Sequence, residues 1–364
     1  MSPTPDPAGP VSVPAIDPAQ AQHQGRRESQ QDAFGFSNLA DADFAAHAGY
    51  LAVLADGMGG MRNGLWSASH AVQAFIEAYH AKTADETIPA ALQRSLVAAN
   101  AVVHEEAERL NSVDRMGTTL AVAVVRGLEL HWLNVGDSRV YLAEDGHLMC
   151  LSTDHSFAEI LRLRVHRGEL SAGEALGHPL RHALTSYLGR PEPVQHAASR
   201  AAVQLRPGAW VLLCSDGLTQ ALDDEQIAAQ LNGGAQQACD RLLDMALARK
   251  LPDQDNTTAV VLHVPRPGQV PEAGSVSRAV YGVAPILQRA APDGAVPPAA
   301  ARPPLRRPRW REPLWWAGAA AALCAVGLFW LSRPPTAPQP AAAVGRSGPA
   351  VDLLAPAASS RGTP

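Results

Sequence analysis

The segment TTLAVAVVRGLELHWLNVGDSRVYLA, residues 118–143, contains three apolar runs separated by two short turns. The runs are TTLAVAVV at 118–125, LELHWLNV at 128–135 and RVYLA at 139–143. Their length and their content of Val and Leu predict β-strands. Because short turns join consecutive strands that run antiparallel, this segment predicts an antiparallel sheet.

The rest of the globular sequence adds further strands and two sets of helices. Strands are also predicted at 50–54, 210–214 and 259–264. Apolar residues that recur at three- and four-residue steps predict amphipathic helices. These helices are expected at 65–80, 89–110, 223–231 and 235–250. Antiparallel strands combined with separate groups of helices favour an α+β sandwich over a doubly wound parallel sheet.

Composition divides the 364 residues into five segments. They are a disordered lead at 1–19, a globular domain at 20–264, a Pro/Ala/Arg-rich linker at 265–313, an apolar segment at 314–332 and a short, disordered Pro/Ala-rich tail at 333–364. The net charge is -5, so no basic bias indicates a nucleic-acid partner. The first residues lack the basic and apolar regions of a signal peptide, and we therefore expect the globular domain to stay in the cytoplasm.

The apolar segment predicts a membrane anchor. LWWAGAAAALCAVGLFWL, from Leu314 to Leu331, carries no charged residue. As a helix it would span roughly 27 Å of a hydrocarbon core of about 30 Å. Five arginines precede it and only Arg333 follows closely, which predicts a single-pass inner-membrane protein with an extracytoplasmic tail. The alternative is a buried helix of a soluble domain, although Pro-rich flanks leave it little to pack against.

Five aspartates stand out by their position relative to the predicted strands. Most of them lie in turns at strand ends, and three adjoin a glycine. They are Asp32, Asp56, Asp137, Asp216 and Asp255. Carboxylates that converge without Lys or Arg partners repel one another unless divalent cations neutralise them, and Mg²⁺ or Mn²⁺ prefer such oxygen ligands. The alternative for each single Asp-Gly pair is an ordinary turn.

Read in order, eight short segments resemble motifs of the metal-dependent protein phosphatases, the type 2C serine/threonine class. The resemblance covers about residues 20–264. The segments are RRESQQD at 26–32, ADGMGG at 55–60, MGTTL at 116–120, VGDSRVY at 135–141, TDHS at 153–156, HPLRHALTSYLG at 178–189, CSDGL at 214–218 and DNTT at 255–258.

The resemblance implies a four-layer α-β-β-α sandwich, with two antiparallel sheets flanked by helix pairs and a metal cluster at one end. It implies two Mn²⁺ or Mg²⁺ ions in the core site and a third typical of bacterial members. Asp56 would bridge the two core ions, with help from the Gly57 carbonyl. The remaining ligands would be Asp216 and Asp255 for the first ion, Asp32 for the second through water, and Asp137 with Asp216 for the third.

The same resemblance implies the reaction. A metal-bridging hydroxide would hydrolyse phosphoserine or phosphothreonine on proteins, while Arg27 would clamp the phosphate. Asn256 would steady the neighbouring loop, and residues 157–180 would form a flap beside the site. The implied partners are phosphorylated Ser/Thr proteins, including a bacterial Ser/Thr kinase and its substrates, at the inner membrane.

Two other functions stay open at this point. One is a binding module that recognises a phosphoprotein without turnover, and the complete set of aspartates argues against it. The other is a receptor whose main role lies in the tail, which is too short to form a core of its own. The nearby hydroxyls of Ser138 and Ser215 are not expected to act as nucleophiles, because no His/Asp pair accompanies them.

The sequence also departs from the family pattern. Position 30 is Gln in place of the usual Asn, and position 31 is Gln in place of Glu. Position 58 is Met where animal members carry a His that is proposed as the general acid. The leaving group must therefore take its proton from water or another group. His155 is the nearest motif histidine, and we expect it to have a structural role.

Overall fold

The structure is a computed structural model that describes residues 16–59, 61–269 and 282–283. The chain divides into two compact units, Met1–Pro292 and Asp293–Pro364. The second unit lies wholly outside the described residues, and so do the predicted anchor at 314–332 and the predicted tail at 333–364. Among the described residues, no helix combines the length and the apolar character that crossing a membrane requires.

The first unit combines strands and helices. Within the described ranges the strands are β1 (Asp17–His23), β2 (Asp32–Phe36), β3 (Tyr50–Met58), β4 (Gly117–Thr118), β5 (Leu120–Arg126), β6 (Glu129–Val135), β7 (Arg139–Glu144), β8 (His147–Cys150), β9 (Ala197–Ala198), β10 (Val203–Gln204), β11 (Trp210–Cys214), β12 (Thr257–His263) and β13 (Gly282–Val283). The helices in the same ranges are α1 (Ala42–Ala48), α2 (Met61–His80), α3 (Ile88–Arg109), α4 (Phe157–His166), α5 (Ala172–Leu176), α6 (Asp216–Thr219), α7 (Asp224–Gln230) and α8 (Ala235–Ala248).

The strands form two antiparallel sheets, as the sequence predicts. The smaller sheet has the order β1-β12-β11-β7-β8, and the larger has the order β10-β6-β5-β3-β2-β13. All the predicted strands and all four predicted helices are present. One prediction needs correction, because the strand expected at 118–125 is interrupted at Thr119. The side chain and the backbone of Thr119 bond to the backbone of Asp56, so this residue leaves the regular ladder.

Three buried apolar clusters create four layers. Alternation along β5 shows how they arise: Leu120, Val122 and Val124 face one cluster, whereas the alanines between them face another. The first cluster joins the larger sheet to α2 and α3. A second lies between the two sheets, and a third joins the smaller sheet to α7 and α8. Burying one Leu or Val side chain stabilises the fold by about 1.5–3 kcal/mol. Apolar contacts within the three clusters therefore hold the layers together.

Two predicted segment boundaries need correction. The lead expected at 1–19 overlaps β1, whose residues from Asp17 onwards pair with β12. Pro18 lacks an N–H group, and β1 accommodates it because an edge strand needs hydrogen bonds on one side only. The linker expected at 265–313 contains β13, which pairs with Phe36 and Gly35 of β2.

Candidate active site

The five aspartates predicted from the sequence come to the same end of the two sheets. Asp32 is the first residue of β2 and lies directly opposite Asp56 in β3. In the smaller sheet, Cys214 pairs with Arg139 on one side and Ala259 on the other. Asp137 and Asp255 lie just beyond these pairs in the loops before β7 and β12, and Asp216 is the first residue of α6, just after β11. The fold therefore brings together carboxylates from both sheets.

The backbone around Asp56 is tightly held. Its N–H donates to Thr119 Oγ1 at 2.9 Å, and its carbonyl accepts from Thr118 Oγ1 at 2.8 Å. The next residue, Gly57, is packed against helix α2: a Cβ there would lie 2.0 Å from the carbonyl oxygen of Gly64. A side chain at this position would displace the helix. The absence of a side chain at Gly57 thus lets helix α2 pack closely against this residue, whose carbonyl the family resemblance implies as a metal ligand.

The same constraint applies at the second Asp-Gly pair. A Cβ at Gly217 would lie 2.1 Å from the carbonyl oxygen of Asn256. This contact joins the start of α6, which carries Asp216, to the loop that carries Asp255. Backbone packing therefore fixes the spacing between the two backbone segments that carry these carboxylates.

Burial and mutual repulsion make ionisation of these aspartates unfavourable. Burial, with the charges of Asp216 and Asp255, raises the pKa of Asp32 to about 7. Burial also raises the pKa of Asp137 to about 7 and that of Asp216 to about 6. The pKa of Asp56 is raised well above its usual value by burial, by Asp32 and by the other aspartates. A cluster of this kind favours a cationic ligand.

The hydrogen bonds of the cluster leave specific oxygens without partners. Oδ2 of Asp32 accepts from Thr258 Oγ1 at 2.6 Å and from Ser215 Oγ at 2.8 Å, whereas its Oδ1 is buried without a partner among the described residues. Asp216 shows the same division: Oδ2 accepts from Gln220 Nε2 at 2.5 Å, and Oδ1 is buried without a partner there. Buried carboxylate oxygens normally have partners, so these two are candidates for metal ligands.

The carboxylates surround a common region without forming a closed ligand set. In the described part of the chain, no three His, Cys, Asp or Glu side chains are close enough together to hold a metal ion as they stand. Their electrostatic influence on one another nevertheless extends across all five positions. The donors are all oxygens, and two of them lack partners in the described part of the chain, which fits Mn²⁺ or Mg²⁺.

Arg27 lies beside the cluster, at its solvent-exposed edge. Its Nη2 donates to Asp255 Oδ2 at 2.6 Å, with 57% of the Arg27 side chain and 22% of the Asp255 side chain exposed. Asn256 fastens the loop that carries Arg27, because its amide donates to the carbonyls of Gln24 and Ser29. Its Oδ1 accepts from the backbone N–H of Gln31. The loop-steadying role expected for Asn256 is confirmed.

The remaining polar residues near the site have structural partners. Nδ1 of His155 accepts from the backbone N–H of Gly136 at 3.1 Å, which holds the loop before Asp137. Burial lowers the pKa of this imidazole, which disfavours its charged form. Ser138 is fully buried and shares a hydrogen bond with Thr119. The structural role expected for His155 is confirmed, and the expectation that Ser138 is no nucleophile agrees with its burial.

The unusual amide at position 30 has a local function. Oε1 of Gln30 accepts from the backbone N–H groups of Gln31 and Asp32, so the longer side chain closes the opening loop on itself. The sequence analysis missed other contributors. The hydroxyls of Ser215 and Thr258 donate to Asp32, and the amide of Gln220 donates to Asp216. The motifs CSDGL and DNTT contain these hydroxyls, but only their acidic residues stood out.

Comparisons with known proteins agree with this geometry. Residues 19–254 match the family model described as protein phosphatase 2C. The chain is 33% identical over 216 residues to the serine/threonine protein phosphatase PstP of Mycobacterium tuberculosis, which is 59% of this chain and 40% of that protein. It is also 33% identical over 181 residues to the serine/threonine phosphatase stp of Listeria monocytogenes, covering 49% of this chain and 69% of that protein.

Solved structures give the same result for the fold. The catalytic domain of the phosphatase PstP in complex with two manganese ions superimposes with a TM-score of 0.54 and 28% sequence identity. The match covers 70% of this chain and 99% of that chain. The chain thus spans less than half the length of the curated mycobacterial relative but nearly all of the solved PstP catalytic domain.

Proposed function

Because this chain belongs to the protein phosphatase 2C family, we propose that it hydrolyses phosphoserine and phosphothreonine on proteins with Mn²⁺ or Mg²⁺ as cofactor. The observation that supports this most directly is the cluster of five aspartates, two of whose buried oxygens have no partner among the described residues. An exposed arginine stands at its edge, where a phosphate group can reach it.

The aspartates have distinct roles in this proposal. Mn²⁺ or Mg²⁺, when bound, lowers the pKa of the attacking water and takes up negative charge on the phosphoryl oxygens. Asp56 would hold both core ions, supported by the Gly57 carbonyl and, for the second ion, by Asp32. The other ligands would be Asp216 and Asp255 at the first ion and Asp137 with Asp216 at a third.

Arg27 binds the substrate phosphate in the proposed reaction. Its present partner is the carboxylate of Asp255, and the guanidinium side chain is more than half exposed. An exposed ion pair contributes only about 0–1 kcal/mol, so exchanging this partner for a phosphate costs little. A guanidinium fork can donate two parallel hydrogen bonds to phosphate oxygens, which also orients the group for attack.

The function is tested by hydrolysis assays on the full-length chain. With Mn²⁺ we expect turnover of a phosphothreonine peptide, slower turnover of the matching phosphotyrosine peptide, and no turnover of either after chelation. Activity should return when Mn²⁺ or Mg²⁺ is added back. Turnover that survives thorough metal removal would contradict the proposal, and so would a preference for phosphotyrosine.

We also propose the partners and the location. A phosphatase for phosphoserine requires a kinase that makes its substrate, so its partners include a Ser/Thr kinase and that kinase's targets. The uncharged segment at 314–332 and the arginines before it support a single-pass anchor in the inner membrane. In that arrangement the catalytic domain is cytoplasmic and the tail is extracytoplasmic.

Reporter fusions after Pro364 test the anchor. An alkaline-phosphatase fusion should be active, because this enzyme requires export. A fluorescent protein that matures only in the cytoplasm should stay dark at the same position. As a control, the same reporters fused after Pro265 should give the reverse pattern. If the two fusion points behave alike, the proposed topology is wrong.

A further inference from the structure

The two oxygens of the Asp32 carboxylate have different surroundings. Oδ2 accepts hydrogen bonds from Thr258 Oγ1 and Ser215 Oγ, at 2.6 Å and 2.8 Å. Oδ1 is buried and has no partner within the described ranges. The whole residue is 2% exposed, so water reaches it poorly. A free carboxylate can rotate and exchange its two oxygens, so neighbouring groups must hold Oδ2 in the hydrogen-bonded position.

The hydroxyl of Thr258 can direct its hydrogen only to Asp32. A hydroxyl has a single hydrogen to donate. Nε2 of Gln22 donates to Thr258 Oγ1 at 3.2 Å and also to the backbone carbonyl of Asp32 at 3.0 Å. A carbonyl oxygen only accepts, so this second bond determines which end of the Gln22 amide carries the NH₂ group. Thr258 therefore accepts from Gln22 and donates to Oδ2.

The hydroxyl of Ser215 is directed in the same way. The backbone N–H of Thr258 donates to Ser215 Oγ at 3.0 Å. The hydrogen of Ser215 then has two acceptors within reach, Asp32 Oδ2 at 2.8 Å and the carbonyl of Asn256 at 3.4 Å. The shorter bond to a carboxylate is the stronger one. Both hydroxyl hydrogens thus converge on Oδ2 and leave Oδ1 as the free oxygen.

These contacts also connect the two sheets. Asp32 belongs to the larger sheet, whereas Gln22 and Thr258 lie opposite each other on β1 and β12 of the smaller sheet. Ser215 immediately precedes Asp216, and Thr258 follows Asp255 by three positions. The hydroxyls therefore fix Asp32 against the same loops that carry the other proposed metal ligands.

We propose that Thr258, Ser215 and Gln22 are positioning residues that hold Oδ2 of Asp32 so that Oδ1 faces the divalent cations. This inference rests on the proposed function, because it assigns the three residues to the same metal site. Partners of metal ligands typically change metal affinity by about 10–100-fold when they are removed. The competing explanation is that the hydroxyls only staple the two sheets together and leave metal binding unaffected.

Calorimetric titration of Mn²⁺ into the chelator-stripped, full-length chain tests the proposal. Thr258→Val keeps the shape of the side chain but removes the donor, and Ser215→Ala removes the second donor. Each is expected to weaken Mn²⁺ binding by about 10–100-fold. Thr258→Ser keeps a hydroxyl at this position, and its Mn²⁺ affinity should lie within about threefold of wild type. Ser37→Ala is the matched control, since Ser37 is equally buried but bonds to the backbone of Leu51.

A milder variant covers the case in which Thr258→Val does not fold. Gln22→Met leaves both hydroxyls in place but removes the amide that directs Thr258, and its Mn²⁺ affinity should fall by about threefold to tenfold. Thermal unfolding in chelator is measured for every variant. Lower thermal stability with unchanged Mn²⁺ affinity would show that the hydroxyls only join the two sheets, and it would overturn the inference. Failure of the wild-type chain itself to bind Mn²⁺ would overturn the proposed function together with this inference.

Discussion

Asp56→Asn is expected to reduce turnover of a phosphothreonine peptide by at least about 10³-fold, since each tenfold loss of rate corresponds to about 1.4 kcal/mol of lost transition-state stabilisation. An amide carries no charge and neutralises two cations poorly. The backbone of Asp56 is held by Thr118 and Thr119, so the substitution should leave the fold intact. Peptide hydrolysis and Mn²⁺ titration provide the two readouts.

Asp244→Asn is the matched control for this variant. Asp244 is an exposed residue of α8, on a helix that packs against the outer face of the smaller sheet. The Asp244→Asn variant should keep wild-type turnover and wild-type Mn²⁺ affinity. If Asp56→Asn retained more than a tenth of the wild-type rate, Asp56 could not be the ligand shared by the two core ions.

The second large effect is a gain in the stability of the fold, whereas the first is a loss of turnover. Without metal, Asp32→Asn is expected to stabilise the fold at pH 8. Burial raises the pKa of Asp32 from 3.8 to about 7, so the folded state binds this proton more tightly than the unfolded state does. The stability linked to this group is complete below about pH 4 and is lost as the pH rises towards 7. At about 1.36 kcal/mol per pKa unit, the loss reaches about 4 kcal/mol.

Asparagine cannot ionise and avoids this loss, while its carbonyl oxygen can still accept from Ser215 and Thr258. In chelator, the free energy of unfolding of the variant should equal that of wild type near pH 4 and exceed it by about 4 kcal/mol at pH 8. The midpoint of thermal unfolding should rise by about 10 °C at pH 8. Urea unfolding at several pH values measures the difference.

Added Mn²⁺ should reduce the stability difference between the variant and wild type. Wild type gains free energy from binding the ion, whereas the variant lacks one supporting oxygen and gains less. Asp244→Asn should follow wild type throughout, because an exposed carboxylate has no comparable burial. If Asp32→Asn were the less stable protein at pH 8 in chelator, the ionised Asp32 would be favourable to the fold without a cation.

Several elements could not be predicted from local sequence. Strand β1 has little apolar periodicity, and the disordered lead expected at 1–19 covered its first three residues. It is a strand because β12 offers a partner along seven paired positions and because an edge position tolerates proline. The flap expected at 157–180 contains α4 and α5, whose exposed leucines blur the apolar stripe on which helix prediction depends.

The family resemblance implied two sheets flanked by helix pairs, whereas local patterns in the amino-acid sequence predicted the antiparallel strands, the four helices and the strand-end positions of most of the five aspartates. These features depend on residues that are close along the chain, where alternation and turn chemistry act directly. Only the tertiary structure decided which oxygen of Asp32 is free. Its two hydroxyl donors come from residues 183 and 226 positions away, Ser215 and Thr258. No local pattern encodes such contacts, because they exist only after the two sheets have packed together.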